Sequence, residues 1–346
     1  MPYGILARVK RSRLLLSAIL ILVPSLACGD ATRLVYGPKP VPSRGAEAVP
    51  SAGNEARCPD ETTAILPKAD SENIPASKFP SVDIGSRLDI PLVTYTVEGD
   101  QLRQASLEKV PDSLLPYQSD FSSQHSAWRL FTTLIPKEQR AMLGQFQVIT
   151  DGPGGVLSAV EQTSQDPNRW MLEIDIADIP DTEALAFTLL HEFGHLLTLG
   201  PSQVPPDLQI FNDPHSPRVR QRAVAACHYY FPGEGCSLPT SYLNIFFGRF
   251  WKDLYKEWQG IDRIEDNILR DAKLEAFYHK YRERFVDSYA VTSPSEDIAE
   301  SWAFYILSPG ARGTSIIDRK LQFFQEYPAL IDLRTRILNS LCSVKP

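Results

Sequence analysis

The spacing of hydrophobic side chains divides residues 84–346 into a first part with strand patterns and a second part with helix patterns. β-branched, aromatic or alternating residues predict strands, and apolar residues three or four positions apart predict helices. The predicted strands are residues 90–98, 146–150, 155–160 and 170–179, and the first predicted helix is 120–134. From residue 241 onward the pattern is mostly helical, and residues 319–339 should close this second part.

The last predicted strand shows the clearest alternation in the chain. Leu172, Ile174 and Ile176 lie on one of its faces, and Glu173, Asp175 and Ala177 lie on the other. It is either an ordinary sheet strand or an edge on which an extended peptide can pair. We take residues 172–179 as the hypothetical peptide-binding edge, because the helix with the strongest chemical motif follows directly.

The N-terminus has the pattern of an export signal. Four basic residues and no acid precede an apolar run at 14–23 and the small residues before Cys28. The run is about half the length that spans a bilayer, so a retained membrane anchor is the weaker alternative. Cys28 directly after Ala27 resembles a bacterial lipoprotein signal, although Pro24 and Ser25 depart from it. The resemblance implies that residues 1–27 are removed and Cys28 is lipidated.

The amino-acid composition distinguishes a predicted tether near the N-terminus from the predicted globular domain that follows it. Ten of the 28 prolines lie in residues 1–80, and residues 28–80 show no periodicity, so we interpret 28–80 as a flexible tether. The predicted globular domain is 81–346, with an α/β lobe at 81–200 and a helical lobe at 201–346. The net charge of −7, which becomes more acidic without the basic signal, gives no reason to expect nucleic-acid binding.

The five cysteines also point to an oxidising compartment. If Cys28 carries lipid, an even number remains for disulfides, namely Cys58, Cys227, Cys236 and Cys342. Cys227 and Cys236 flank a turn-rich loop and are the easiest pair to join, which leaves Cys58 for Cys342. Four cysteines permit three pairings, so the other two pairings stay open.

The strongest motif lies on the predicted helix 182–199, between Asp181 as N-cap and Gly200-Pro201 as stop. His191 and His195 are four positions apart, so they project from one face and can bind a single ion. Glu192 is placed to contact a metal-bound water. This His-Glu-x-x-His arrangement is the signal of zinc peptidases.

A catalytic zinc needs a third protein ligand. The extended pattern His-Glu-x-x-His-x-x-Gly-x-x-His is absent, because Thr198 stands at the glycine position and Pro201 at the position of the third histidine. The better candidate is Glu296, which begins a second predicted helix with Glu300 four positions later on the same face. Asp297 is a weaker competitor, and Glu296 in the Ser-Pro-Ser-Glu sequence can instead serve as a capping residue. The remaining histidines, predicted to be surface or structural residues, are His125, His215, His228 and His279.

His-Glu-x-x-His with a downstream Glu-x-x-x-Glu, and a tyrosine seven positions before the first of those glutamates, resembles the gluzincins, most closely the lethal-factor-type zinc peptidases. The resemblance covers about 16 residues at each of two places. It implies that His191, His195 and Glu296 bind one Zn²⁺ and that Glu192 is the general base. It also implies that Glu300 holds a ligand histidine and that Tyr289 donates a hydrogen bond to the transition state.

The expected fold is therefore zincin-like α+β, with a small mixed sheet, the motif helix and a mostly helical C-terminal lobe. The expected function is zinc-dependent hydrolysis of a peptide or protein substrate outside the cytoplasm. The chain would be lipid-anchored at a bacterial membrane, the outer membrane being favoured, or secreted. Two alternatives are a zinc hydrolase of a non-peptide amide and a zinc-binding protein without catalysis. The sequence does not specify an oligomeric state.

Overall fold

The computed structural model describes residues 90–150, 157–179, 182–308 and 311–344. The predicted signal peptide, the tether, Cys28, Cys58 and the Asp181 cap lie outside these residues. Within the described residues, no helix combines the length and the apolar character that crossing a membrane requires.

Five strands form one mixed sheet. They are β1 (Ile90–Glu98), β2 (Gln101–Leu107), β3 (Leu143–Thr150), β4 (Ser158–Gln162) and β5 (Trp170–Asp175). The strand order is β2-β1-β3-β5-β4, and only β3 and β5 run parallel. β1 and β2 form a hairpin whose turn contains Gly99 with a φ of +65°, a conformation that favours glycine.

Eleven α-helices are present in the described part of the chain. In order they are α1 (Leu115–Gln118), α2 (Phe121–Leu134), α3 (Thr182–Leu199), α4 (Leu208–Asn212), α5 (Pro217–Ala226), α6 (Tyr242–Phe250), α7 (Tyr255–Asp262), α8 (Asn267–Tyr281), α9 (Pro294–Leu307), α10 (Ile316–Gln325) and α11 (Pro328–Val344). Short 3-10 turns occupy Asp112–Leu114, Lys137–Arg140, Arg282–Arg284 and Ala290–Thr292. The predicted α+β class and the mostly helical C-terminal part are confirmed.

The hypothesis that residues 172–179 form a peptide-binding edge is wrong. β5 lies between β3 and β4, so its backbone pairs with a strand on each side. The strand also ends at Asp175, and its residues are buried on both faces. The edge nearest to β5 is β4, which runs antiparallel to it and also packs near α3.

The hydrophobic core is continuous from the sheet to the C-terminal helices. On the sheet side it includes Phe131 and Phe146, and it continues through Phe193 of α3 to Trp302 of α9. Phe193 and Trp302 are neighbours, with ring centroids 6.0 Å apart. The two helices that carry the predicted metal ligands are therefore held together by apolar packing on both sides of the polar residues.

Candidate metal centre

α3 and α9 pack directly on each other, and a glycine permits their close approach. A Cβ atom added at Gly194 would lie 2.9 Å from Ala299 Cα and 3.2 Å from Ala299 Cβ, distances too short for a normal contact. Gly194 is the residue before His195 on α3, and Ala299 is the residue before Glu300 on α9. The absence of a side chain at Gly194 thus allows the polar groups of the two helices to meet.

Three of these groups converge on one point. His191 Nε2 and His195 Nε2 are 3.0 Å apart, and Glu296 Oε2 lies 3.1 Å and 3.2 Å from them. All three residues are buried. Ligand atoms placed tetrahedrally at 2.0–2.1 Å from a zinc ion are roughly 3.3 Å apart. Two imidazole nitrogens and a carboxylate oxygen at nearly this spacing can therefore hold a metal ion, as predicted.

Glu300 contacts the other nitrogen of the first histidine. Its Oε1 lies 3.1 Å from His191 Nδ1, and both side chains are buried. A carboxylate at this nitrogen favours a proton on Nδ1, which leaves the lone pair of Nε2 free for a metal. The geometry thus matches the position that the resemblance implies for Glu300.

Glu192 is buried beside the ligands but is not bonded to them. Its exposed fraction is 0%, and neither carboxylate oxygen has a hydrogen-bond partner among the described residues. Burial raises the pKa of Glu192, while the nearby histidines His191 and His195 act in the opposite direction. A carboxylate with a raised pKa and free oxygens is suited to accept a proton and return it.

The pKa of Glu296 is shifted in the direction opposite to that of Glu192. Burial alone would raise its pKa, but the interactions with His195 and His191 outweigh burial, so the pKa of Glu296 is lowered. Its role as a helix cap is limited to the backbone: the N–H of Glu296 donates to Ser293 Oγ at 3.1 Å. The Glu296 carboxylate itself faces the histidines of α3, so capping and metal binding use different atoms of the same residue.

Tyr289 lies beside the centre, just before α9. Its ring centroid is 5.6 Å from that of His191, and the residue is buried.

The backbone at Tyr289 is fixed by Asp287, whose Oδ1 accepts the N–H groups of Tyr289 and Ala290, each at 3.0 Å. Burial, followed by the charge of Glu300, raises the pKa of Asp287 well above its ordinary value. Asp287 was not predicted from the sequence, although an Asp two residues before a turn residue is a typical Asx turn.

The other candidates for the third ligand lie elsewhere. Asp297 Oδ2 accepts hydrogen bonds from Lys320 Nζ at 2.5 Å and from Trp251 Nε1 at 2.7 Å, so it faces α10 and the turn that follows α6 rather than α3. The remaining histidines, predicted to be surface or structural residues, are exposed at the surface. They are His125, His215, His228 and His279.

A disulfide joins Cys227 and Cys236, as predicted, with their Cα atoms 5.4 Å apart. Cys342 is also disulfide-bonded, while its predicted partner Cys58 lies outside the described residues. The loop between Cys227 and Cys236 carries Glu234, a half-buried acid whose pKa is raised by burial, while the charge of His195 acts in the opposite direction. No pattern in the sequence indicates this interaction, because 35 positions separate Glu234 from Leu199 at the end of the motif helix.

The comparisons with known proteins provide no relative. No protein-family model matches the chain, and no curated protein or solved structure matches it significantly. What the chain does must therefore be deduced from the arrangement of its own residues.

Proposed function

We propose that this chain is a zinc-dependent hydrolase of peptide bonds that acts outside the cytoplasm. The observation that carries the proposal is the group of two imidazole nitrogens and one carboxylate oxygen within 3.2 Å of one another, with the unbonded Glu192 beside it. Two nitrogens and one oxygen are the donor set of many catalytic zinc sites, which leave a fourth position for water. A closed structural site has four protein ligands, and this group has three within the described residues.

Each residue around the centre then has a chemical task. When bound, zinc supplies Lewis-acid chemistry, because it lowers the pKa of a water molecule and polarises a carbonyl oxygen. Glu192 takes the proton of the attacking water and later passes it to the leaving amine. Glu300 keeps His191 in the tautomer that binds metal. The Tyr289 hydroxyl donates a hydrogen bond to the oxyanion that forms from the peptide carbonyl.

The substrate is proposed to bind as an extended strand along β4. Among the described strands, β4 pairs with β5 alone, so it lies at an edge of the sheet, where an extended peptide can add as a further strand. β4 packs near α3, which carries Glu192 and two of the proposed ligands. A peptide added to this edge would therefore run past the metal centre. This edge replaces the interior strand that the sequence pattern suggested.

The proposed location rests on the cysteines and on the N-terminal pattern. The Cys227–Cys236 disulfide is typical of an oxidising compartment. The predicted signal and the predicted lipid attachment at Cys28 lie in residues that the structure does not describe, so the membrane anchor is a proposal from sequence. Mass spectrometry of the mature protein, purified from a bacterial host, should find a lipid-modified Cys28 at its N-terminus.

The catalytic proposal is tested with purified full-length protein. Bound zinc is counted per chain, and peptide cleavage is measured with and without a chelator. Glu192→Gln should lower peptide hydrolysis by about 10²–10⁴-fold, because the group that moves the proton is lost. The same variant should keep one zinc per chain, because Glu192 is not a ligand.

Three results would contradict the proposal in different ways. Zinc binding without any turnover would indicate a silent zinc protein. Turnover of non-peptide amides alone would indicate a different hydrolase. Unchanged peptide cleavage by Glu192→Gln would show that Glu192 is not the base. Glu265→Gln, at an exposed position, is the matched control and should leave cleavage unchanged.

A further inference from the structure

The segment between α8 and α9 contains Tyr289, and it is anchored on both sides of that residue. Upstream, the Phe285 ring is buried against Trp251, with ring centroids 5.5 Å apart. Downstream, the backbone carbonyl of Val291 accepts the indole N–H of Trp258 at 3.0 Å. Tyr289 therefore lies within a short span of chain whose two ends are held by buried aromatic side chains.

Within this span, two side chains hold the backbone of Tyr289. Asp287 Oδ1 accepts the N–H of Tyr289 and the N–H of Ala290, each at 3.0 Å. The carbonyl oxygen of Tyr289 accepts the N–H of Thr292 at 3.0 Å and its hydroxyl at 2.8 Å. Asp287 thus fixes the amino side of Tyr289, and Thr292 fixes the carbonyl side.

The charge of Asp287 strengthens this turn. Burial and the charge of Glu300 raise the pKa of Asp287, whereas the N–H groups of Ala290 and Tyr289 act in the opposite direction. A carboxylate accepts N–H groups more strongly than an uncharged oxygen does. The two hydrogen bonds therefore bind the Asp287 carboxylate to the backbone at Tyr289 more firmly than a neutral turn residue would.

The side chain of Tyr289 lies against a proposed metal ligand, since its ring centroid is 5.6 Å from that of His191. A group that stabilises a transition state must be held accurately, and a displacement of about 1 Å can cost about 100-fold in rate. We infer that Asp287 is a positioning residue for the proposed hydrolysis: its carboxylate fixes the backbone of Tyr289 so that the tyrosine ring stays beside His191. This inference rests on the proposed function, because it concerns the transition-state donor of the same site.

The test is a double-variant cycle at Asp287 and Tyr289 in the zinc-loaded, full-length protein. Tyr289→Phe should lower kcat for peptide hydrolysis by about 100- to 1000-fold, because the oxyanion loses one donor. Asp287→Ala should lower kcat by about 10- to 100-fold with little change in KM, because the donor acts on the transition state rather than on the bound substrate. Without the hydroxyl its placement no longer matters, so adding Asp287→Ala to Tyr289→Phe should cause little further loss.

Two further variants separate the hydrogen bonds of Asp287 from a general loss of structure. Asp287→Asn should recover most of the kcat that Asp287→Ala loses, because the asparagine amide oxygen can accept the same two N–H groups. Asp207→Ala is the matched control, since Asp207 Oδ1 accepts the N–H groups of Gln209 and Ile210 at 2.8 Å and 3.2 Å at the start of α4. This control removes a turn of the same kind and should leave peptide cleavage unchanged.

A second measurement follows Tyr289 without any turnover. A fluorotyrosine is incorporated at position 289, and its ¹⁹F NMR signal is recorded in the zinc-loaded protein. Asp287→Ala should shift or broaden this signal, whereas Asp287→Asn and Asp207→Ala should leave it close to that of the wild type. If Asp287→Ala does not fold, Asp287→Ser takes its place in both measurements, because the shorter serine side chain bonds the backbone more weakly.

Each outcome decides the inference. A loss of kcat that Asp287→Asn recovers, and that disappears in the Tyr289→Phe background, supports positioning by Asp287. Equal losses in both backgrounds, or no recovery by Asp287→Asn, would overturn it, because Asp287 would then act on another group or through its charge. An unchanged fluorine signal in Asp287→Ala would overturn it as well. A shifted signal in a protein that cleaves no peptide would refute the hydrolase proposal and leave the placement of Tyr289 by Asp287 standing.

Discussion

Glu296 and Asp297 are consecutive residues of α9, and both are buried, with exposed fractions of 5% and 0%. They nevertheless face different helices. Asp297 meets the Lys320 ammonium on α10, with its Oδ2 2.5 Å from Nζ. Glu296 meets two histidines on α3, which are bases rather than permanent cations. The two carboxylates therefore have the same burial but different sources of positive charge.

This difference explains why only one side of α9 offers a site for a metal ion. A buried carboxylate is stable where a cation and hydrogen-bond donors compensate it. At Asp297 the chain supplies both, through Lys320 and the Trp251 indole. At Glu296 the nearest groups are nitrogen donors that themselves bind metal ions. In the proposed function a divalent ion would complete the second arrangement, whereas the first is already complete.

Removing the ammonium group of Lys320, which pairs with Asp297, should have the largest effect on stability. Lys320→Met leaves Asp297 buried without a counter-ion and should lower the free energy of unfolding by about 3–5 kcal/mol. Urea denaturation of the metal-free protein measures this change. As a comparison, Glu326→Gln breaks the exposed pair with Arg249 and should cost less than about 1 kcal/mol.

A double variant shows whether the loss comes from charge rather than from packing. Asp297→Asn together with Lys320→Met removes both charges and keeps an oxygen for the Trp251 indole. It should recover most of the stability that Lys320→Met loses, because no uncompensated charge remains. A double variant as unstable as Lys320→Met would show that Lys320 acts mainly through contacts other than the pair with Asp297, such as those of its ammonium with the Phe246 and Phe285 rings.

Removing the carboxylate of Glu296, which faces the histidines of α3, should weaken metal binding. Glu296→Gln should weaken zinc affinity by more than about 100-fold. Mutation of a residue that only hydrogen-bonds to a metal ligand typically lowers the affinity by about 10–100-fold, and loss of a ligand itself should lower it further. Competition with a chromophoric chelator measures the affinity. The stabilisation that zinc gives in thermal unfolding should shrink by about 2.7 kcal/mol for each 100-fold loss.

The matched control is the double variant at Asp297 and Lys320, which should bind zinc as the wild type does. If Glu296→Gln kept the full zinc affinity, the third ligand would have to be another group. If the double variant lost zinc affinity as strongly as Glu296→Gln, the two sides of α9 would not be independent.

Features that depend on neighbouring positions in the chain, such as which residues share a helix face, could be predicted from the sequence. Residues four positions apart share a helix face, so the pairs His191/His195 and Glu296/Glu300 follow from spacing alone. The strand Ile90–Glu98 also has the predicted bounds, because its β-branched and aromatic residues lie on a buried strand. β2 was not predicted, because its residues are mostly exposed and show no apolar alternation.

Contacts between segments that are far apart in the sequence could not be predicted. Lys320 is 23 residues from Asp297 in sequence, and its pairing depends on how α10 packs on α9. The loop that carries Glu234 is positioned by contacts with Pro205 and Asp207, which belong to another segment of the chain. The interior position of β5 depends on strand order, which the alternation of one strand does not determine. Pairings between distant segments are set by tertiary packing, and no local pattern in one sequence specifies them.

The smallest effect should come from adding one methyl group between the two helices. Gly194→Ala places a Cβ atom 2.9 Å from Ala299 Cα, so α3 and α9 must move apart. We expect a loss of about 1–3 kcal/mol in unfolding free energy, together with weaker zinc binding, because the proposed ligands lie on both helices. Gly248→Ala adds the same atom in α6, where nothing lies within 4 Å, and should instead stabilise the protein by about 0.5–1 kcal/mol. If both substitutions were stabilising, α3 and α9 would have room at this contact, and the close approach of the helices would not hold the ligands in place.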